Sequence, residues 1–235
     1  VNPQIRRSLF FPAGVYRVTS SILIPPYATL WGEGADNSII QLDSMDDSTL
    51  VSCVARTVDS LQQYGINIGN NNATPPKYIT ISKLGFDNLD PLTDVFLVQD
   101  ADNCTFQSVG FYGPLTQSSL TTEADFTKCV AFESTTTLVC SQILFDGCFF
   151  SGTTYGVSTD QQVKGVTFTN GKFDTLYKGV VLGTNPVTNG GPTGVRITSN
   201  VFDHIYAEGI VFGDVRLNAS GHNVFYDVGD HFGGV

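Results

Sequence analysis

Six phenylalanines set a frame that few folds satisfy. The segments Ile81-Ser-Lys-Leu-Gly-Phe86, Phe106-Gln-Ser-Val-Gly-Phe111, Phe145-Asp-Gly-Cys-Phe-Phe150, Phe168-Thr-Asn-Gly-Lys-Phe173, Ile197-Thr-Ser-Asn-Val-Phe202 and Ser220-Gly-His-Asn-Val-Phe225 align on their last residue. Five carry an apolar residue five positions before the anchor, and Ser220 is the exception. The anchors are spaced by 25, 39, 23, 29 and 23 residues. Three are followed closely by another apolar stretch: Tyr155-Gly-Val-Ser, Lys178-Gly-Val-Val-Leu-Gly and Glu208-Gly-Ile-Val-Phe-Gly. Each unit therefore reads as strand, tight turn, strand, third strand.

Self-similarity at a period of about 20–30 residues, without helix signals, means a solenoid. Propeller blades need about 40–45 residues per repeat, and leucine-rich repeats need Leu at fixed offsets that these segments lack. Helical repeats are excluded by composition. Only 14% of the 235 residues are charged, against 24 Gly, 17 Phe and 25 Thr, and no run of strong helix formers is present. The reading is an all-β chain, a single-stranded right-handed parallel β-helix whose coils hold three short strands each. Coils stacked at about 4.8 Å then turn the anchors into an internal aromatic column.

One domain, 1–235, is expected, with opening coils in 1–50 and Phe-anchored coils in 78–235. The 39-residue interval must hold an extra coil or a loop thrown off the helix, placed at the Ser- and Thr-rich stretch 114–125. The chain opens on Val1, has its only Met at 45 and stops at Val235 in mid-pattern, as expected of a piece of a longer protein. Asn170, Asn200 and Asn223 lie just before anchors, where stacked amides can bond from coil to coil.

The five cysteines, Cys53, Cys104, Cys129, Cys140 and Cys148, are odd in number and show no C-x-x-C spacing, so buried thiols are expected rather than disulfides or zinc. No stretch is apolar for 18 residues, so no membrane span is expected. A net charge of −10 repels phosphate backbones, which argues against nucleic acid.

Residues 9–42 carry a pattern of their own: Leu9-Phe-Phe-Pro-Ala-Gly-Val-Tyr16, Ile22-Leu-Ile-Pro25, Thr29-Leu-Trp-Gly-Glu-Gly34 and Ser38-Ile-Ile-Gln-Leu42. This order of strands and Pro/Gly turns resembles the opening coils of the pectate-lyase-like superfamily of β-helices. That resemblance implies the same fold and a place among polysaccharide lyases, glycoside hydrolases and bacteriophage tailspike or tail-fibre proteins. The coils of 199–229 look most like phage structural proteins. The function so implied is a tail spike or fibre protein that binds host-surface polysaccharide, assembles as a homotrimer and resides in the virion or outside the cell. Its alternatives are a polysaccharide-degrading hydrolase or lyase and a non-catalytic surface adhesin.

For an enzyme, the candidates are Asp174 and Asp203, each directly after an anchor, and Glu208 on the next strand. Glycoside hydrolysis needs two carboxylates about 5–9.5 Å apart, and outward acids on neighbouring coils fall near that range. Outward acids also keep a surface soluble and block lateral sheet association, so both readings stand. The motif order of polygalacturonase-like members is not met: Asp46-Asp47 comes too early, Gly221-His222 is followed by Asn223, and Arg196-Ile197-Thr198 precedes it. His204, His222 and His231 read as turn and surface residues. Asp43, Asp46 and Asp47 lack the spacing of a calcium loop, and Gly32-Glu-Gly34 lacks the helix a dinucleotide site needs. No metal and no cofactor is expected. Among flat rings for sugar stacking, Tyr112 and Tyr226 stand out because each directly follows an anchor. The acids Asp174, Asp203, Glu208, Asp214, Asp227 and Asp230 crowd the last third of the chain.

Overall fold

A computed structural model describes residues 7–42, 53–58, 76–116, 119–120, 127–133, 139–159, 162–183, 191–213 and 219–229. Asp43, Asp46, Asp47, Tyr64, Asp214, Asp230 and His231, and positions 117–118 and 121–125 of the expected loop, lie outside them. The strands sort into three sheets, and every pairing is parallel. The first sheet begins with Arg7–Phe11, Ala28–Gly32 and Thr80–Ser82 and runs on to Ala219–Gly221. The second runs from Gly14–Val18 through Ser38–Leu42 and Gly85–Asn88 to Val224–Val228, and the third from Ile22–Ile24 to Ile210–Phe212. The chain visits first, second and third sheet in turn and returns one rung further on, which is a right-handed parallel β-helix.

Register confirms the frame read from the phenylalanines. Ile40, Phe86, Phe111, Phe150, Phe173, Phe202 and Phe225 face one another on successive strands of the second sheet. Leu30, Ile81, Phe106, Phe145, Phe168, Ile197 and Ser220 do so in the first. Rings stack at rung distance: Phe106 on Phe145 at 4.5 Å, Phe150 on Phe173 at 4.4 Å, Phe173 on Phe202 at 4.7 Å. The third sheet makes room for them with glycine. A Cβ on Gly156 would lie 2.8 Å from the Phe173 ring, and one on Gly179 would lie 2.8 Å from the Phe202 ring and collide with the Gly209 carbonyl. Large rings from one sheet thus seat on bare backbone from another, which is how a narrow coil reaches interior packing density.

The interval from Phe111 to Phe150 holds a single coil, since Gly110–Tyr112 pairs directly with Phe149–Ser151. Its surplus residues fall between Gly110–Tyr112 and Lys128–Glu133 and between Lys128–Glu133 and Cys140–Asp146.

From the third coil on, the corner between first and second sheets turns on one residue in the left-handed region: Lys83, Ser108, Gly147, Asn170, Ser199 and His222. The following residue points inward, and there Asn200 and Asn223 form the coil-to-coil ladder. Asn200 accepts from the Gly171 N–H at 2.9 Å, donates to the Phe168 carbonyl at 3.0 Å, and donates through its backbone N–H to Asn223 Oδ1 at 3.0 Å. Asn170 does not belong to it. Sitting one position earlier, at the bend, it points outward and donates to Asp146 Oδ1 at 2.9 Å.

All five cysteines are free and buried. Burial pushes the Cys53 thiol up to about 11 and those of Cys104, Cys129 and Cys148 to about 12, so these remain neutral apolar filling. Among the described residues no helix is long and apolar enough to cross a membrane.

Candidate functional site

Strand alternation decides what the second sheet shows to solvent. With the anchors inward, the residues after them face out in one column: Arg17, Gln41, Asp87, Tyr112, Ser151, Asp174, Asp203 and Tyr226. The residues before the anchors face out as well, which places Lys172 beside Asp174. Asp174 and Asp203 are direct cross-strand partners. Two like charges one rung apart repel unless a cation joins them, and Lys172 does so, its Nζ 2.8 Å from Asp174 Oδ2 and 3.0 Å from Asp203 Oδ2.

A bend completes the cluster. Thr175, His204 and Asp227, immediately after Asp174, Asp203 and Tyr226, all adopt left-handed backbone, with φ of 54°, 50° and 45°. The bend turns each side chain back along the sheet. His204 Nδ1 comes to 3.2 Å from Asp174 Oδ1 and 3.1 Å from Asp203 Oδ1, its Nε2 lies 3.8 Å from Asp227 Oδ2, and the Thr175 hydroxyl donates to Asp174 Oδ1 at 3.2 Å. Burial alone would raise the Asp174 carboxyl, but the hydrogen bond and charge of Lys172, with His204 and Thr175, outweigh it and hold the group below the usual carboxylate range. Reciprocally, the hydrogen bond to Asp174 lifts the Lys172 ammonium above its ordinary value against the opposing effect of burial.

These protonation states set the chemistry. Asp174 is an acceptor through the neutral range and is unsuited to be the proton donor of glycoside hydrolysis, which needs a raised pKa. The donor atoms of Asp174, Asp203 and His204 lie within 4.8 Å of one another, a spacing suited to a cation. Lys172 already supplies that cation, and a divalent ion would have to displace its ammonium. Replacing Lys172 by Met should therefore move the Asp174 titration upward in carboxyl-carbon NMR. A carboxyl lowered by folding contributes stability above its ordinary pKa and loses it as pH falls through the lowered value. In Lys172→Met that acid limb shifts to higher pH, and an unmoved titration would contradict the bridge.

Glu208 does not join the pair. Its carboxylate lies 3.6 Å from Lys178 Nζ, in the turn toward the third sheet. Tyr226 sits one rung from Asp203 with 58% of its surface exposed. Tyr112 lies down instead: its ring covers Gly110 and stands within reach of Gly85, and its hydroxyl donates to Asp36 Oδ1 at 2.6 Å. Burial and that bond raise the phenol's pKa, so it stays protonated. Sequence reasoning brought out Asp174, Asp203 and Tyr226 but not Lys172, and it read His204 as a surface residue. The Lys-Phe-Asp order at 172–174 was the available signal for the first, and a single-residue bend leaves no mark in residue type.

Residues 5–211 match the family described as rhamnogalacturonase A/epimerase, pectate lyase-like. Among curated proteins none matches. Solved structures similar to the chain include the pectin methylesterase PemA of Erwinia chrysanthemi, at 12% identity and a TM-score of 0.46 over 95% of this chain and 70% of that one. The pectin methylesterase of Yersinia enterocolitica gives 12% and 0.46 over 98% and 87%. Geobacillus virus E2 ORF18 gives 12% and 0.34 over 94% and 54%. With the family match spanning nearly the whole solenoid, and its coils built as register and corner geometry describe, this chain belongs to the rhamnogalacturonase A/epimerase family of pectate-lyase-like β-helices.

Proposed function

We propose that this chain is part of a polysaccharide-binding shaft, a bacteriophage tail spike or fibre, that acts through the outer face of its second sheet. The observation that carries the reading is the cross-braced cluster of Asp174, Lys172, Asp203 and His204 with Tyr226 beside it. Carboxylates held in place accept hydrogen bonds from sugar hydroxyls, and an exposed phenol ring supplies a flat apolar face with a polar tip. Cross-strand bracing makes the cluster rigid, which lowers the entropy cost of binding. The resemblance of the last coils to phage structural proteins supports the tail assignment and a location in the virion. Exposed apolar side chains near the first coils, Phe10, Val15, Leu23 and Trp31, support lateral association, for which a homotrimer is the proposed form.

Binding without cleavage is the expected outcome when the protein meets capsular polysaccharide and lipopolysaccharide panels. Retention of a glycan should weaken in Tyr226→Ala and Asp203→Asn, with no reducing ends and no unsaturated uronates released. Light scattering should give three times the 25.3 kDa chain mass. A degradative reading with Asp174 and Asp203 as the reacting pair has one observation in its favour, the short distance between their carboxylates. Products that appear with wild type and vanish with Asp203→Asn would replace the binding reading by that one.

A further inference from the structure

A second surface, on the first sheet, has the make-up of a sugar groove. Where six successive coils enter that sheet, one residue is held in the left-handed region: Tyr27, Tyr78, Asn103, Gln142, Gly165 and Gly194. Glycine and asparagine are at ease there, whereas a bulky side chain is strained. Two tyrosines, with φ of 63° and 54°, hold strained positions on consecutive rungs, their rings 5.6 Å apart and tilted by 30°. Strain of this kind collects at functional sites.

Beside this column the sheet turns out threonines in register, Thr29, Thr80 and Thr105. Column and threonines together enclose an open groove of about 350 Å³ running along the helix axis, walled first by the two rings and then by the carboxamides of Asn103 and Gln142. Among the described residues no charged one lines it. Lys77 Nζ lies over both rings, 5.9 Å from each centroid, and a carboxylate of opposite sign, Asp102, accepts from the Asn103 amide at 2.7 Å. Strands of the first sheet are paired on both sides along this stretch, so no free edge is available for an extended peptide.

We infer that this groove binds an uncharged oligosaccharide lying along the solenoid axis. The length of a pyranose residue is close to the rung spacing of about 4.8 Å, so a chain of sugars meets a new side chain at each ring. Tyr27 and Tyr78 stack against two apolar sugar faces, and Asn103, Gln142 and the threonine hydroxyls take up hydroxyl groups further along. The groove opens from a different sheet than the Asp174–Asp203 cluster and does not depend on it.

Calorimetric titration with uncharged hexasaccharides of glucose, mannose and galactose, beside hexagalacturonate, tests the assignment. At least one uncharged hexasaccharide should bind wild type, at least tenfold more tightly than hexagalacturonate. Tyr78→Asn, which suits the backbone of that position, should weaken it at least tenfold with the melting temperature unchanged or raised. Gln142→Gly should weaken it as well, and Asn170→Ala, at an exposed corner outside both surfaces, should leave it as it was. Absence of binding by all uncharged probes, undiminished binding in Tyr78→Asn, or a lowered melting temperature for that variant would each overturn the proposal.

Discussion

Phe173→Ala is expected to lower stability by about 3–5 kcal/mol, read from urea denaturation followed by circular dichroism. The ring is fully buried, stacked between Phe150 and Phe202, with Gly156 beneath it. Truncation opens a cavity whose walls cannot close, because rung spacing is set by the hydrogen bonds of three sheets rather than by the rings. Neighbouring coils carry the loss as well, since a solenoid is stabilised by nearest-neighbour contacts. Phe225→Ala is the internal comparison. Its ring stacks on Phe202 at 5.0 Å but is half exposed, so its truncation should cost a small fraction of that amount. Equal losses at the two positions, or a loss below about 1 kcal/mol at Phe173, would rule out the column as the main source of stability.

Asn200→Ala is expected to cost about 2–4 kcal/mol, at about 1–3 kcal/mol for each buried polar group left unpaired. Its amide serves three coils at once: it accepts from the Gly171 N–H, donates to the carbonyls of Phe168 and Thr198, and donates to Asn223 Oδ1 at 3.2 Å. Water cannot take these places, because Asn200 is buried. Hydrogen exchange at Gly171 gives a local reading of the same event and should accelerate in the variant. Asn170→Ala should be close to neutral, its amide being bound to Asp146 on the surface. A large effect there with a small one at Asn200 would contradict the ladder.

These two comparisons show where residue patterns carried information and where they did not. The spacing of apolar residues is a statement about faces, and a coil with short strands leaves each face one inward choice per strand. Hence Phe86 to Phe225 and their partners five residues earlier were legible, as was the outward direction of Asp174, Asp203 and Tyr226. Asn170 was misplaced because a one-residue bend shifts the face without changing the residue type, and Ser199 and His222 occupy the same bend as freely as Asn170 does.

The candidate site follows the same division. Its acids were legible because they directly follow anchors, yet its character depends on atoms from separate rungs. Lys172 joins Asp174 to a residue 29 positions further along, Asp203, and His204 reaches both only because its backbone is left-handed. Likewise Tyr27 and Tyr78 are 51 positions apart in the chain and neighbours in the solenoid.

Sequence alone thus determined the coil, its aromatic interior and which acids face outward, because an inward or outward choice is made residue by residue under a two-residue period. Tertiary structure alone decided which charges meet, which ring lies flat and which stands exposed. Those outcomes depend on distances between rungs and on single left-handed bends, and neither is written in the order of residue types.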